Sequence, residues 1–174
     1  MVERSSIFYG MSGKTLLGRL WLAVSEAGLV AVGLTRYQEE FEAYLVKRFK
    51  RTIIRDQERV KEMSRELGEY LGGEHVTFTL PIDWSVMRPF QRMVLQATHA
   101  IPYGETRTYK EIAEQIGRPR AARAVGRAEA TNPMPLVIPC HRVIGSDGKL
   151  HGYGLGEGVK TKEWLLKMEG ALIA

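Results

Sequence analysis

Residues 108–128 read TYKEIAEQIGRPRAARAVGRA, and this stretch decides the fold of the second half of the chain. Thr108 followed three residues later by Glu111 is a capping box, so a helix opens there and runs to Ile116. Gly117 breaks it, and Pro119 suits the first position of the next helix. Two short helices joined by a glycine-containing turn read as a helix-turn-helix. In the second helix Arg120, Arg123 and Arg127 are spaced i, i+3 and i+7 and share a face. Ala121, Ala122, Val125 and Ala128 lie elsewhere and can pack. Together with Gly126 these small residues allow close approach to a partner surface. An arginine stripe alone is usually a solvated face; inside a helix-turn-helix it points to nucleic acid.

Working outward, Pro89 opens an earlier helix that runs through Ala100, with Phe90, Met93, Val94 and Ala97 on its apolar face. After the helix-turn-helix comes NPMPLVIPCHRVI, Asn132 to Ile144, with Cys140 on an expected strand. Gly145-Ser146-Asp147-Gly148 is a tight turn, and 149–153 returns as the second arm of a hairpin or wing. Gly152 to Gly158 holds four glycines and reads as a mobile loop. Lys160 to Glu169 is the last helix, with Trp164, Leu165 and Met168 inward, ended by Gly170. Residues 88–174 therefore form a winged-helix domain.

Residues 1–82 form a separate, small α/β domain. Leu16 to Leu34 is a hairpin turning at Glu26-Ala27-Gly28. Tyr37 to Phe49 is a helix with Phe41, Tyr44, Leu45 and Phe49 on one face, and its basic end, KRFKR at 47–51, complements the helix dipole. Residues 52–54 make a short strand, Gln57 to Leu71 a second amphipathic helix, and His75 to Leu80 an alternating strand. Pro81 to Arg88 is a linker.

Composition bounds the rest. Of 174 residues 44% are apolar, ordinary for a globular protein. No apolar run approaches the ~20 residues that span a bilayer. The opening MVERSSIFYG lacks a signal-peptide core, so the expectation is a cytoplasmic protein with no membrane partner. One cysteine forbids an internal disulfide, and a reducing compartment suits a working thiol. Four scattered histidines (His75, His99, His141, His151) show no ligand spacing, so neither a metal nor another cofactor is expected. The net charge of +5 is uneven: residues 1–88 carry 13 basic against 12 acidic side chains, residues 89–174 carry 12 against 8. That favours a polyanionic partner for the half with the cysteine.

Cys140 is followed by His141 and Arg142, and a neighbouring imidazole or cation lowers a thiol's pKa. On an extended strand His141 would point away from Cys140, but Pro139 can impose a turn. A buried structural cysteine is the competing reading. PLVIPCHRVIG, preceded by Asn132-Pro133, resembles the active-site signature of the O6-alkylguanine-DNA alkyltransferases, and the resemblance runs from about Pro89 to Gly170, more weakly into the N-terminal half.

That resemblance implies an α+β protein with a ribonuclease H-like N-terminal domain and a winged-helix C-terminal domain. It implies a monomer acting on double-stranded DNA that contains O6-alkylguanine, with O4-alkylthymine as a second substrate. The alkyl group would pass irreversibly to Cys140 after the base is flipped out. His141 would take the thiol proton through a water, and Glu169 would orient that histidine. Glu169 also stands at the unfavourable end of a helix dipole, which invites a compensating partner. Arg123 would fill the gap left by the base, and Tyr109 would rotate the phosphate and reach the leaving base. Arg120, Arg127, Ala122 and Gly126 would face DNA. Asn132 would be a hinge, and Val143, Tyr153, Gly154, Pro135 and Lys162 would form the pocket.

Some relatives hold a structural zinc, and this chain lacks the cysteines for it. Arg127 and Glu129 depart from the family pattern in ways expected to bear on DNA affinity, and the glycine loop is about two residues longer. A Cys-His hydrolase, a damage sensor without transfer, and a plain winged-helix regulator remain rivals.

Overall fold

The computed structural model describes residues 6–74 and 77–171, and the chain divides into two compact units, residues 1–86 and 87–174. The strands and helices of the first unit are β1 (Ile7–Thr15), β2 (Gly18–Ser25), β3 (Gly28–Gly33), α1 (Gln38–Phe49), β4 (Ile53–Arg55) and α2 (Lys61–Leu71). The sheet order is β3-β2-β1-β4, antiparallel except for the parallel β1–β4 pair, which α1 makes possible by carrying the chain across. Trp21 and Tyr9 pack on Phe41 and Leu45 of α1, and the Trp21 and Phe41 rings stack at 5.9 Å. The other side of β1 lies so close to the next segment that a Cβ on Gly10 would stand 2.6 Å from Val60 Cγ2.

The hairpin of β2 and β3, both helices and the short strand β4 fall where the sequence places them. β1 does not appear in the sequence reading. The helix expected from Gln57 begins instead as a 3-10 turn, Glu58–Val60, before α2. Of the strand expected over 75–80, His75 and Val76 lie outside the described residues, and 77–80 are not strand. The expected linker is also packed. Leu29 N donates to Pro81 O (2.8 Å), Asp83 N donates to Leu29 O (2.9 Å), and Ser25 Oγ donates to the buried Asp83 carboxylate (2.6 Å).

The second unit contains α3 (Pro89–His99), β5 (Arg107–Thr108), α4 (Tyr109–Gln115), α5 (Ala122–Ala130), β6 (Val143–Ile144) and α6 (Val159–Met168). Val94 and Ala97 of α3, Ile112 and Ala113 of α4, and Val125 and Ala128 of α5 share one core with Val143. Leu95 is buried on α3, while Met93 is exposed, so the inward face is turned from the expected one. The capping box is realised: Thr108 Oγ1 accepts from Glu111 N, and Thr108 N donates to the Glu111 carboxylate. Gly117, at φ +74°, closes α4 with paired bonds from its own N to Glu114 O and from Arg118 N to Ala113 O. Pro119 does not open α5; residues 118–121 form a turn, so Arg120 lies outside the helix.

Among the described residues no return strand follows Gly148. β6 pairs instead with β5, in parallel, Arg107 to Val143 and Thr108 to Ile144. Among the described residues no helix is long and apolar enough to cross a membrane.

Gly28 ties the first unit together. Its φ is +142°, and a Cβ there would meet Pro81 O at 2.1 Å. Gly28→Ala is expected to destabilise this unit by about 3 kcal/mol or more, read by urea denaturation, because backbone rather than a flexible side chain must yield.

Candidate active site

Cys140 begins a single 3-10 turn, Cys140–Arg142, not a strand. Pro139, at φ −80° and ψ 65°, starts the turn, and Cys140 N donates to Ile138 O (2.8 Å). Three residues on such a turn point about 120° apart. His141 and Arg142 both reach Glu169, and Cys140 faces a cavity of about 640 Å³.

Glu169 caps the C-terminus of α6 and is fully buried. One carboxylate oxygen meets His141 Nε2 (2.8 Å) and Arg142 Nη2 (2.8 Å); the other accepts from Arg142 Nε (2.9 Å). Arg142 Nη1 also donates to Ile101 O (2.8 Å). A carboxylate only accepts, so Nε2 carries the proton and His141 Nδ1 holds the lone pair. Burial, reinforced by Arg142 and Lys162, pulls His141 below its usual pKa against the opposing pull of Glu169, so the imidazole is neutral at neutral pH.

Asn132 follows α5 and bridges two backbone groups. Its Oδ1 accepts from Met134 N (2.9 Å), and its Nδ2 donates to Ile138 O (2.9 Å). Between them Leu136 is held at φ +76°, a strained conformation for a bulky side chain. At the Cys140 thiol, burial raises the pKa most and Glu129 next, while Asn132 and Lys162 lower it. Burial and Glu129 together outweigh both, and the thiol is pushed up to about 12. The expected activation by adjacent cations is not present: Arg142 is turned to Glu169.

The cavity wall includes Tyr109 at the start of α4, Ala122, Arg123, Gly126, Glu129 and Ala130 of α5, and His151, Gly152, Tyr153 and Gly154 of the following loop. Tyr109 is pushed up to about 12, chiefly by burial. Arg123 is exposed at the rim. A Cβ on Gly126 would only touch the Tyr109 ring, at 3.9 Å. Arg120 and Arg127 are exposed away from the cavity.

Three expected pocket residues do not line it. The Val143 side chain is in the core, Pro135 lies in the loop braced by Asn132, and Lys162 stands behind the wall. Lys162 Nζ donates to Val143 O (2.7 Å) and His151 O (3.1 Å), so this cation fastens the loop to β6. The glycine loop is likewise anchored: Leu155 is buried, and Glu157 N donates to Thr161 Oγ1 (2.8 Å).

Two site residues escaped the sequence reading. Arg142 was visible beside the cysteine, but nothing local showed that it would pair with Glu169. Glu129, expected to affect DNA affinity, is instead buried against the cavity, hydrogen-bonded to Thr98 Oγ1. On α6 the buried positions are Thr161, Lys162, Leu165 and Leu166, with Glu169 one turn on; Trp164 and Met168 are only partly buried. Lys162, Leu165, Leu166 and Glu169 follow i, i+3, i+4, i+7, an inward stripe with a charge at each end.

Residues 89–171 match the 6-O-methylguanine DNA methyltransferase DNA binding domain, and residues 7–84 match the ribonuclease-like domain of the same family. A methylated-DNA–protein-cysteine methyltransferase of Methanosarcina acetivorans is 41% identical over 155 residues, covering 89% of this chain and 94% of that one. The constitutive enzyme of Bacillus subtilis is 38% identical over 161 residues, covering 92% and 94%. The crystal structure of Mycobacterium tuberculosis O6-methylguanine methyltransferase superposes with a TM-score of 0.76 at 35% identity, covering 97% of this chain and 95% of that one. A crystal structure of the M. tuberculosis protein in complex with DNA gives 0.75 at 36%, covering 95% and 93%.

The ion pair around Glu169 generates a stability prediction. Arg142→Ala leaves a buried carboxylate with one neutral partner and is expected to cost about 3–5 kcal/mol in chemical denaturation. Arg142→Lys should recover only part of this, because an ammonium cannot reproduce the two-point contact.

Proposed function

Because this chain belongs to the 6-O-methylguanine DNA methyltransferase family, we propose that it repairs DNA by moving an alkyl group from O6-alkylguanine onto its own Cys140. The observation that carries the reading is the chain's only cysteine, set in a cavity that opens between the two helices of a helix-turn-helix and is rimmed by Arg123. The cysteine sulfur attacks the alkyl carbon, the carbon–O6 bond breaks, and its electron pair leaves with guanine. The thiol proton ends on the base, so guanine departs neutral and a thioether remains. No metal or cofactor enters that balance. A thioether does not reverse, so each protein acts once.

His141, neutral and with its lone pair on Nδ1, is the proposed acceptor of the thiol proton through a water. Glu169 holds the tautomer that makes this possible and stabilises the imidazolium that forms. With a thiol near 12, proton removal belongs to the reacting complex rather than to the resting protein. Tyr109, a phenol kept protonated by its burial, is the proposed donor to the leaving base.

Chemistry on a base within a duplex requires flipping, and Arg123 at the rim is the residue proposed to fill the gap. Ala122 and Gly126 beside it permit close approach of the helix to DNA. Arg120 and Arg127 are assigned to phosphates. We place the protein as a monomer in the cytoplasm, where a reducing medium preserves the thiol.

Intact mass after incubation with O6-methylguanine duplex should show one added methyl on Cys140 and none in Cys140→Ala. Many turnovers per protein would refute self-alkylation and favour a hydrolase.

A second measurement separates the arginines. Arg120→Ala or Arg127→Ala should weaken DNA binding and reduce its salt slope by roughly one unit. Arg123→Ala should slow transfer from duplex strongly while barely changing reaction with a free O6-alkylguanine base. Equal slowing of both substrates would assign Arg123 to the fold or the pocket instead.

A further inference from the structure

We propose that Glu129 is a proton-dependent wall of the base pocket: transfer proceeds while its side chain is a neutral carboxylic acid and slows when that proton is lost. The inference rests on the alkyl-transfer reading and adds a residue with no assigned part in it. Glu129 lines the cavity with Cys140 and Tyr109 and is 6% exposed.

Its hydrogen bonds count in favour of the acid. Thr98 Oγ1 is within bonding distance of both Val94 O (3.0 Å) and Glu129 Oε1. A hydroxyl has one hydrogen, and neither Val94 O nor a carboxylate has one to give. Both contacts are hydrogen bonds at once only if Glu129 Oε1 carries the proton and donates to Thr98, which then donates to Val94 O. Glu129 Oε2 is buried and has no hydrogen-bond partner among the described residues, a costly state for an ionised carboxylate.

The groups that face Glu129 are Thr98 from α3, Tyr109 from α4, Cys140 from the 3-10 turn and Lys162 from α6. Arg123 and Arg127, on its own helix, are exposed to solvent. Lys162 is the one buried cation among these, and it is committed to two carbonyl oxygens. Burial therefore prevails over Thr98 and Lys162 and pushes the carboxyl up to about 8. Below that pH the pocket is free of this charge. Above it an anion stands beside a thiol that must become a thiolate and a base that gathers negative charge as its bond to carbon breaks, and both steps are opposed.

The test is the single-turnover rate of Cys140 alkylation by free O6-benzylguanine from pH 6 to 9.5, followed by intact mass, in wild type and Glu129→Gln. Using the free base removes the pH dependence of DNA binding. The ratio of variant to wild-type rate should stay within about twofold at pH 6.5 and reach about tenfold at pH 9.5, the effect of one like charge on a neighbouring pKa. A ratio that does not change with pH overturns the inference and leaves Glu129 a structural role.

A second readout needs no variant activity. Carboxyl carbon-13 titration of the wild-type protein should show one glutamate titrating near 8, absent from Glu129→Gln. If every glutamate titrates in the ordinary range, the inference fails. Absence of adduct in wild type at every pH would refute the transfer reading, while the titration still reads Glu129 directly.

Discussion

One buried carboxylate organises the site. Glu169 is out of water, and a bare anion there would cost several kcal/mol, so its geometry must be satisfied from two sides. Arg142 meets it at two points and His141 at one, and these are consecutive residues. Because both are committed to the same group, the turn has one direction left for Cys140. The orientation of the nucleophile thus follows from an ion pair it does not join. The same arginine binds the carbonyl of Ile101 just beyond α3, so the helix-turn-helix core and the last helix are registered to each other through it.

The charges are sorted about that turn. On one side a full ion pair is sealed with a neutral imidazole. On the other lie a thiol, a phenol and a carboxyl, all pushed toward their protonated forms by burial, with Lys162 as the buried cation behind them. At rest the thiol, the phenol and the carboxyl are all uncharged, although all three can ionise. Such a cavity suits an aromatic base, and the charge that develops during reaction meets few fixed anions.

Most local signals in the sequence held, Pro119 being the exception, since it lies in a turn before α5. The capping box at Thr108, the proline opening α3 and the glycine closing α4 are each made by residues within a few positions of one another. The surroundings of Cys140 were legible as a motif. Most of what failed was nonlocal. β1 carries two glycines and a register shift between Met11 and Lys14, so its alternation is broken, and it becomes a strand only through β2 and β4. The wing hairpin was inferred from a tight turn, but the short strand before that turn found its partner in β5. An apolar count on α6 selected Trp164 and Met168, because a lysine and a glutamate were not credited as inward positions. Those two charges came from the family resemblance, not from the helical pattern, and their contacts with Val143, His151, His141 and Arg142 came only from the structure.

The burial of Cys140 has a consequence for oxidation. Peroxides attack thiolates, and their selectivity follows thiolate character and exposure. A nucleophile 8% exposed and held near 12 offers little of either. A redox sensor is built the opposite way, with an open and acidic thiol. A protein that can spend its cysteine once is better served by this arrangement, which disfavours attack by peroxide and favours a carbon electrophile delivered into the cavity.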